Sequence, residues 1–360
     1  MKGERGGLLF LNNYVKTGIG DFGLQLIGYL KKREDVTVRT TSVVARDVVF
    51  DSWHIMRWRG TVIANIGLTT WGPSGFANFM GFGVIGLRAA FGRPTTILLH
   101  NIIEIIVPED SGYNVDAATK FGAHLAVKLL SKANIVVFSH EICTLLNERY
   151  GIAPKRCDPL PCNRPGNLDA LEQGHPGERP LAITLGYLAP YKGLPAFVEA
   201  RDYVPSHIRM AVAGGLHRIL GGEGRFSRFA NEIVARMRSK DIDYLGYVPD
   251  SDLDRLLKGR VVGVLPYTSL SGASAAFSRF ASAGVPVIAT DLPEFRRLQG
   301  LGAGIVLVSA SPKEIGNAVD ALLSDTVGWE RASRCQLEFA SRYSWNELTN
   351  WLSGVEEHSS

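Results

Sequence analysis

Four stretches of this chain hold residue types that can bind or move charge. Thr17-Gly18-Ile19-Gly20-Asp21-Phe22-Gly23 follows a strand-like run and opens a helix-like one. Glycines there let backbone approach a ligand, and a helix N-terminus favours an anion. A tight turn with no ligand is the plainer reading, and the acidic ribose partner of a dinucleotide site is missing from a clear place. His100 ends the run Thr95–Leu99, with Asn101 and Glu104 close by. An imidazole at a strand's carboxyl end can donate to a sugar hydroxyl or handle a proton near neutral pH; a loop or capping histidine is the alternative. In Gly186-Tyr187-Leu188-Ala189-Pro190-Tyr191-Lys192-Gly193 the Lys192 ammonium can reach a phosphate, although most lysines simply face solvent. Finally, Val261–Leu265 runs into Pro266-Tyr267-Thr268-Ser269-Leu270-Ser271-Gly272-Ala273-Ser274 and then a helix. Free backbone N–H groups and hydroxyls at such a junction suit a diphosphate, and serines there also cap helices.

These stretches are held by an alternation of short apolar runs and amphipathic segments. Strands are expected at Leu8–Leu11, Val36–Thr40, Thr61–Ile66, Thr95–Leu99 and Ile135–Ser139, with helices at Phe22–Lys32, Phe76–Phe91 and Ala117–Ser131. Proline, glycine and polar residues cluster over Pro159–Pro180, which reads as a linker. The alternation then restarts, with strands at Leu181–Leu185, Met210–Ala213, Ile242–Leu245, Val261–Leu265 and Val287–Thr290. Helices are expected between them at Leu194–Arg201, Arg225–Ser239, Asp250–Lys258 and Ser274–Ala283. The rhythm predicts an α/β chain of two doubly wound, Rossmann-like domains facing across a cleft. The expected divisions are 1–162, 163–335 and a C-terminal helix, 336–360, returning to the first domain.

Composition sets the outer limits. Of 360 residues, 46% are hydrophobic and 21% charged, enough to build cores rather than a disordered chain. A net charge of +4 suits a small anionic ligand and does not argue for nucleic acid. Cys143, Cys157, Cys162 and Cys335 lack the spacing of a zinc site and read as reduced thiols. No signal-peptide core and no apolar run long enough to span a bilayer stand out, so a cytoplasmic location is expected. Trp71–Phe91 and Lys120–Lys132 also admit peripheral contact with the inner face of a membrane, against the plainer reading as core-facing helices.

Taken together, these blocks resemble glycosyltransferase family four, retaining enzymes of the GT-B fold. Gly18–Gly23 resembles the family's N-terminal glycine-rich loop, and Ala133–Ser139 with Arg149–Ile152 its segment closing the first domain. Gly186–Gly193 resembles the donor loop; Ala211–Gly215, Tyr244–Val248 and Ala283–Ala289 match further blocks, and Tyr343-Ser344-Trp345 the start of the last helix. The resemblance implies a retaining transfer from a nucleotide-sugar, such as a UDP- or GDP-sugar, to a glycan, lipid-linked sugar or small molecule. It implies no metal and no further cofactor. His100 would be catalytic, beside the donor sugar. Gly18, Gly20, Lys192, Gly215, Gly246, Tyr247, Val248, Ser271, Gly272, Ala273 and Ser274 would line the donor site. Two family glutamates are replaced here by Ser271 and Arg279, and the donor-loop arginine by Tyr187, as in a sub-group with Pro-Tyr-Lys-Gly and a Ser-Gly loop. Arg279 is then a candidate for ribose or phosphate. The missing acids favour one alternative, a non-catalytic GT-B partner of a glycosyltransferase complex; a second alternative, a sugar-nucleotide epimerase, would show acidic and histidine groups around the sugar that are not placed here. The oligomeric state is left unassigned.

Overall fold

The computed structural model describes residues 7–12, 18–32, 35–41, 45–67, 75–102, 121, 124–125, 127–163, 179–216, 225–270 and 272–354. The chain divides into two compact units. Unit 1 comprises Met1–Pro159, Ser271–Ala273 and Trp345–Ser360; unit 2 comprises Leu160–Leu270 and Ser274–Ser344.

Unit 1 is built on strands β1 (Leu8–Asn12), β2 (Val36–Thr40), β3 (Val62–Ile66), β4 (Thr95–Leu99), β5 (Asn134–Val137) and β6 (Arg156–Cys157). They form one parallel sheet in the order β2-β1-β3-β4-β5-β6. Helices α1 (Gly18–Leu30), α2 (Ala45–Arg57), α3 (Gly75–Ala90) and α4 (His140–Tyr150) belong to this unit. Every residue of β1, β3 and β4 is buried, whereas edge strand β2 is half-exposed. That contrast follows from helices covering both faces of a parallel sheet: central strands need apolar side chains in both directions.

Unit 2 repeats the plan with β7 (Leu181–Leu185), β8 (Arg209–Ala213), β9 (Asp243–Gly246), β10 (Val261–Leu265), β11 (Val287–Thr290) and β12 (Ile305–Val308). Its order is β12-β11-β10-β7-β8-β9, again parallel throughout. Around it lie α5 (Leu194–Glu199), α6 (Arg225–Ser239), α7 (Asp250–Leu256), α8 (Ala275–Ser282), α9 (Pro293–Gly300), α10 (Pro312–Ser324) and α11 (Thr326–Arg342). Because strand side chains alternate, the sheet separates two cores. Leu181, Ile183, Leu185, Val261 and Leu265 pack with Phe277, Phe280 and Phe339. Ala182, Val262, Val264 and Ile288 pack with Phe197, Ile233 and Ile315 on the other side. The last helix, α12 (Trp345–Leu352), belongs to unit 1, where Trp345 packs on Phe22 and Tyr29 of α1, with ring centroids 4.8 and 5.9 Å away.

Two expected boundaries shift by local chemistry. The helix expected from Ser274 starts at Ala275, because Ser274 caps it: its hydroxyl accepts from the Phe277 amide at 3.2 Å. The Leu194–Arg201 helix stops at Glu199 and tightens into a 3-10 turn, Ala200–Tyr203. Helices α2, α4, α9 and α10 and strands β6 and β12 were not expected from the sequence. Residues 164–178 of the expected linker, and 117–120, 122–123 and 126 of the stretch expected to be helical over 117–131, lie outside the described residues, whereas 121, 124–125 and 127–129 are helical. The four cysteines are free thiols. Among the described residues no helix is long and apolar enough to cross a membrane.

Candidate functional site

In an open α/β sheet, ligands bind beyond the carboxyl ends of the strands, at the point where strand order reverses. Unit 1 reverses between β1 and β3, and two asparagines meet there. Asn12 ends β1, and Asn65 is the penultimate residue of β3; both are buried. Asn65 Nδ2 donates to Asn12 Oδ1 and to the Ile19 carbonyl, both at 2.8 Å. Asn12 Nδ2 donates to the Gly20 carbonyl at 3.2 Å. The first turn of α1, where Gly18 and Gly20 lie, is thereby tied to two strand ends. Gly23 makes the room: a Cβ there would sit 1.8 Å from Asn12 Oδ1 and 2.6 Å from Asn65 Nδ2.

His100 joins this network. Its backbone N–H donates to Ile66 O at 3.1 Å, which sets the residue at the end of β4. Its Nε2 lies 2.7 Å from Asn65 Oδ1. Phe22 meets the ring edge-on at 4.6 Å and Phe138 lies at 5.1 Å. The side chain keeps partial exposure, but these apolar walls strip water from the ring, and desolvation holds its pKa down at about 3. Of the two roles expected of His100, this environment favours the hydrogen-bonding one at neutral pH. The imidazole is neutral there and acts as a hydrogen-bonding group.

Unit 2 reverses between β7 and β10, and a cation stands there. Lys192 closes the turn Pro190–Lys192, and Gly193 comes next with φ +64°. A Cβ at Gly193 would lie 1.6 Å from the Pro266 carbonyl, so only glycine lets the two loops close. Thr268 N–H completes the seam by donating to Tyr191 O at 2.9 Å. Lys192 Nζ then donates to the Tyr267 hydroxyl at 2.5 Å and lies 3.9 Å from that ring's centroid. Tyr267 is fully buried, and its main-chain carbonyl accepts from Thr290 Oγ1 at 2.6 Å. Its hydroxyl lies 3.3 Å from Ser274 Oγ, at the N-terminus of α8. Burial pushes the phenol's ionisation well above its ordinary range and lowers that of Lys192, against a smaller opposing influence from Tyr191. The ammonium is therefore half-buried among neutral groups, beside a helix N-terminus. That arrangement suits an anion.

The loops after β7, β8 and β9 interlock beside it. Gly186 has φ +119°, and a Cβ at Gly214 would lie 1.8 Å from the Gly186 carbonyl. Gly214 N–H donates to Gly246 O at 2.7 Å, and Leu188 N–H donates to Gly215 O at 3.1 Å. Tyr247 is 75% exposed, whereas Val248 packs on the core. Gly272, with φ +90°, is buried, and Ala273 is half-buried. Ser271 lies outside the described residues. Arg279 binds α7: it donates to Asp254 Oδ1 at 2.7 Å and to the Asp250 carbonyl at 3.2 Å, while its buried Nε has no partner.

The structure thus gathers Lys192 and Ser274, and ties Gly20 to the His100 network. Sequence reasoning missed Tyr267, Asn12 and Asn65. A usable signal existed for the asparagines: each is a polar residue set at the carboxyl end of an otherwise apolar strand.

Residues 169–338 match the family model described as glycosyl transferases group 1. No curated protein matches the chain in sequence. Among solved structures, HepE of Anabaena in complex with UDP is 14% identical, with a TM-score of 0.70 over 97% of this chain and 98% of that one. Sucrose-phosphate synthase of Thermosynechococcus elongatus is 14% identical, with a TM-score of 0.71 over 98% of each chain. A glycosyltransferase of Rickettsia africae is 13% identical, with a TM-score of 0.68 over 98% of each chain. With residues 169–338 matching the group 1 model and 97–98% of the chain aligned to these solved structures, the chain has the two-domain GT-B fold.

Proposed function

We propose that this protein is a glycosyltransferase that moves a sugar from a nucleotide-sugar donor to an acceptor hydroxyl. The observation that carries this reading is the half-buried Lys192 ammonium beside the capped N-terminus of α8, within the stretch that matches the group 1 model. There Lys192, the Ser274 region and the backbone of Gly272 and Ala273 would hold the donor diphosphate, with Ser271 nearest the sugar. Gly215, Gly246, Tyr247 and Val248 would hold the base. Unit 2 is then the donor domain and unit 1 the acceptor domain. His100 would meet the donor sugar, with Gly18 and Gly20 offering the diphosphate backbone N–H groups. Stereochemical retention, independence of metal and a cytoplasmic setting at or near a membrane's inner face belong to the same reading. Arg279 drops in weight as a ribose contact because Asp254 already holds it.

HepE's complex with UDP makes a UDP-sugar the first donor to try. Purified protein would be screened against UDP- and GDP-sugars by thermal shift and by slow release of nucleoside diphosphate without acceptor. Stabilisation and release by at least one donor are expected, and both should weaken in Lys192→Ala. A protein that binds a donor yet never releases diphosphate would end the catalytic reading.

A further inference from the structure

We propose that Asn65 and Asn12 are positioning residues that fix His100 as the Nε2–H tautomer, presenting Nδ1 as an acceptor for a sugar hydroxyl. Backbone groups anchor the assignment, because their donors and acceptors cannot be confused. The Ile19 and Gly20 carbonyls accept only, so the Asn65 and Asn12 atoms facing them are NH2 groups. The second hydrogen of Asn65 Nδ2 goes to Asn12 Oδ1. Asn65 therefore turns its Oδ1 to His100, 2.7 Å from Nε2, and that oxygen can only accept. Nε2 must carry the proton. Since the ring is neutral, Nδ1 holds the lone pair.

Two strand ends and one helix turn thus dictate which imidazole nitrogen can accept. A hydroxyl can donate to Nδ1, whereas a phosphate oxygen gains nothing from it. The choice of a sugar hydroxyl rests on the transferase reading; the tautomer does not. The groups brought to the ring are Phe22 from α1, Asn65 from β3 and Phe138 beyond β5. Of the carboxylates on elements packed there, Asp21 of α1 is exposed and Glu347 of α12 is half-buried.

The test is 15N NMR of histidine-labelled full-length protein without ligand, with His100→Gln assigning the signal. An Nε2–H imidazole with a pyridine-like Nδ1, unchanged from pH 8 to pH 5, is expected. An Nδ1–H tautomer, a mixture of the two, or ordinary titration in that range would overturn the proposal. Asn65→Leu should release the ring to a tautomer mixture; a folded variant with an unchanged signal also overturns it. Should that variant not fold, the isosteric Asn65→Asp takes its place. A carboxylate against Nε2–H should bring His100's protonation up into the titrated window, and no change there counts against us. Turnover of UDP-glucose and other nucleotide-sugars is read separately. If no donor is turned over while the Nε2–H signal stands, the transferase reading and the hydroxyl contact fall, and the positioning role remains.

Discussion

The two units place a side-chain pair at the same topological position and give it different electrostatics. In unit 1 the pair spanning the reversal is Asn12–Asn65, neutral, buried and satisfied by backbone carbonyls. In unit 2 it is Lys192–Tyr267, a cation resting on a neutral phenol. The sheets are alike, so the difference comes from the residues set around the strand ends. Unit 1 surrounds its pair with Phe22, Phe138 and an imidazole that burial keeps uncharged. Unit 2 sets its pair beside Ser274 and the start of α8. Fold supplies the location; the loop residues decide whether the strand ends present neutral amides or a cation.

Removing each unit's principal group should separate the two roles most sharply. His100→Ala should lower turnover by about 100-fold, the scale of a lost positioned polar group, while nucleoside diphosphate affinity stays near wild type. Steady-state rates beside calorimetric UDP affinity would read this. Equal losses in both would erase the proposed division. Lys192→Met should do the reverse and weaken UDP binding by roughly 10- to 100-fold, since a hydrogen bond to a charged group contributes about 1.5–3 kcal/mol.

Much of this comparison was visible in the sequence, because it depends on period. The runs Val36–Thr40, Thr95–Leu99, Leu181–Leu185, Val261–Leu265 and Val287–Thr290 are strands with those same limits. Strand β12 escaped because Gly302-Ala303-Gly304 precedes only four apolar residues, a run too short to separate from a loop. His100, Lys192 and Ser274 stood out since each comes after a strand or opens a helix. Their partners did not, because partnership is a tertiary property. Asn12 and Asn65 are 53 residues apart, and Lys192 and Tyr267 are 75 apart. No local pattern reports such pairings, and the charge state of His100 depends on Phe22 and Phe138 arriving from two other elements.

Packing in unit 1 offers a test that does not depend on activity. Gly23→Ala would force a methyl into the space of the Asn12 amide. Overpacking of this kind costs about 1–3 kcal/mol, so a lowered midpoint in urea at unchanged slope is expected. The His100 NMR signal should broaden or split with it. In unit 2 the milder change is Tyr267→Phe, which keeps the ring beneath Lys192 and removes its hydroxyl acceptor. UDP affinity should fall by about tenfold or less, in line with a net 0.5–1.5 kcal/mol for one hydrogen bond. A loss as large as that of Lys192→Met would mean that Tyr267 itself touches the ligand.

The smallest expected effect is on stability against pH, and its sign separates the units. His100 has a folded-state pKa of about 3, below the roughly 6.5 of an exposed histidine. At pH above 6.5 both folded and unfolded states hold it neutral, and its contribution is fully present. As pH falls from about 6.5 toward 3, the unfolded chain takes up the proton and the folded chain does not, so stability declines. The ring is partly exposed, so solvent screening keeps the effect modest. Lys192 is also depressed by burial, but from an ordinary value far above neutrality, so its linkage enters from the alkaline side. His100→Gln should therefore flatten the fall in melting temperature between pH 6.5 and 4, while Lys192→Met leaves that stretch as it was. If His100→Gln gives the wild-type slope there, the imidazole is not desolvated, and the contrast between a neutral and a cationic reversal point fails on the unit 1 side.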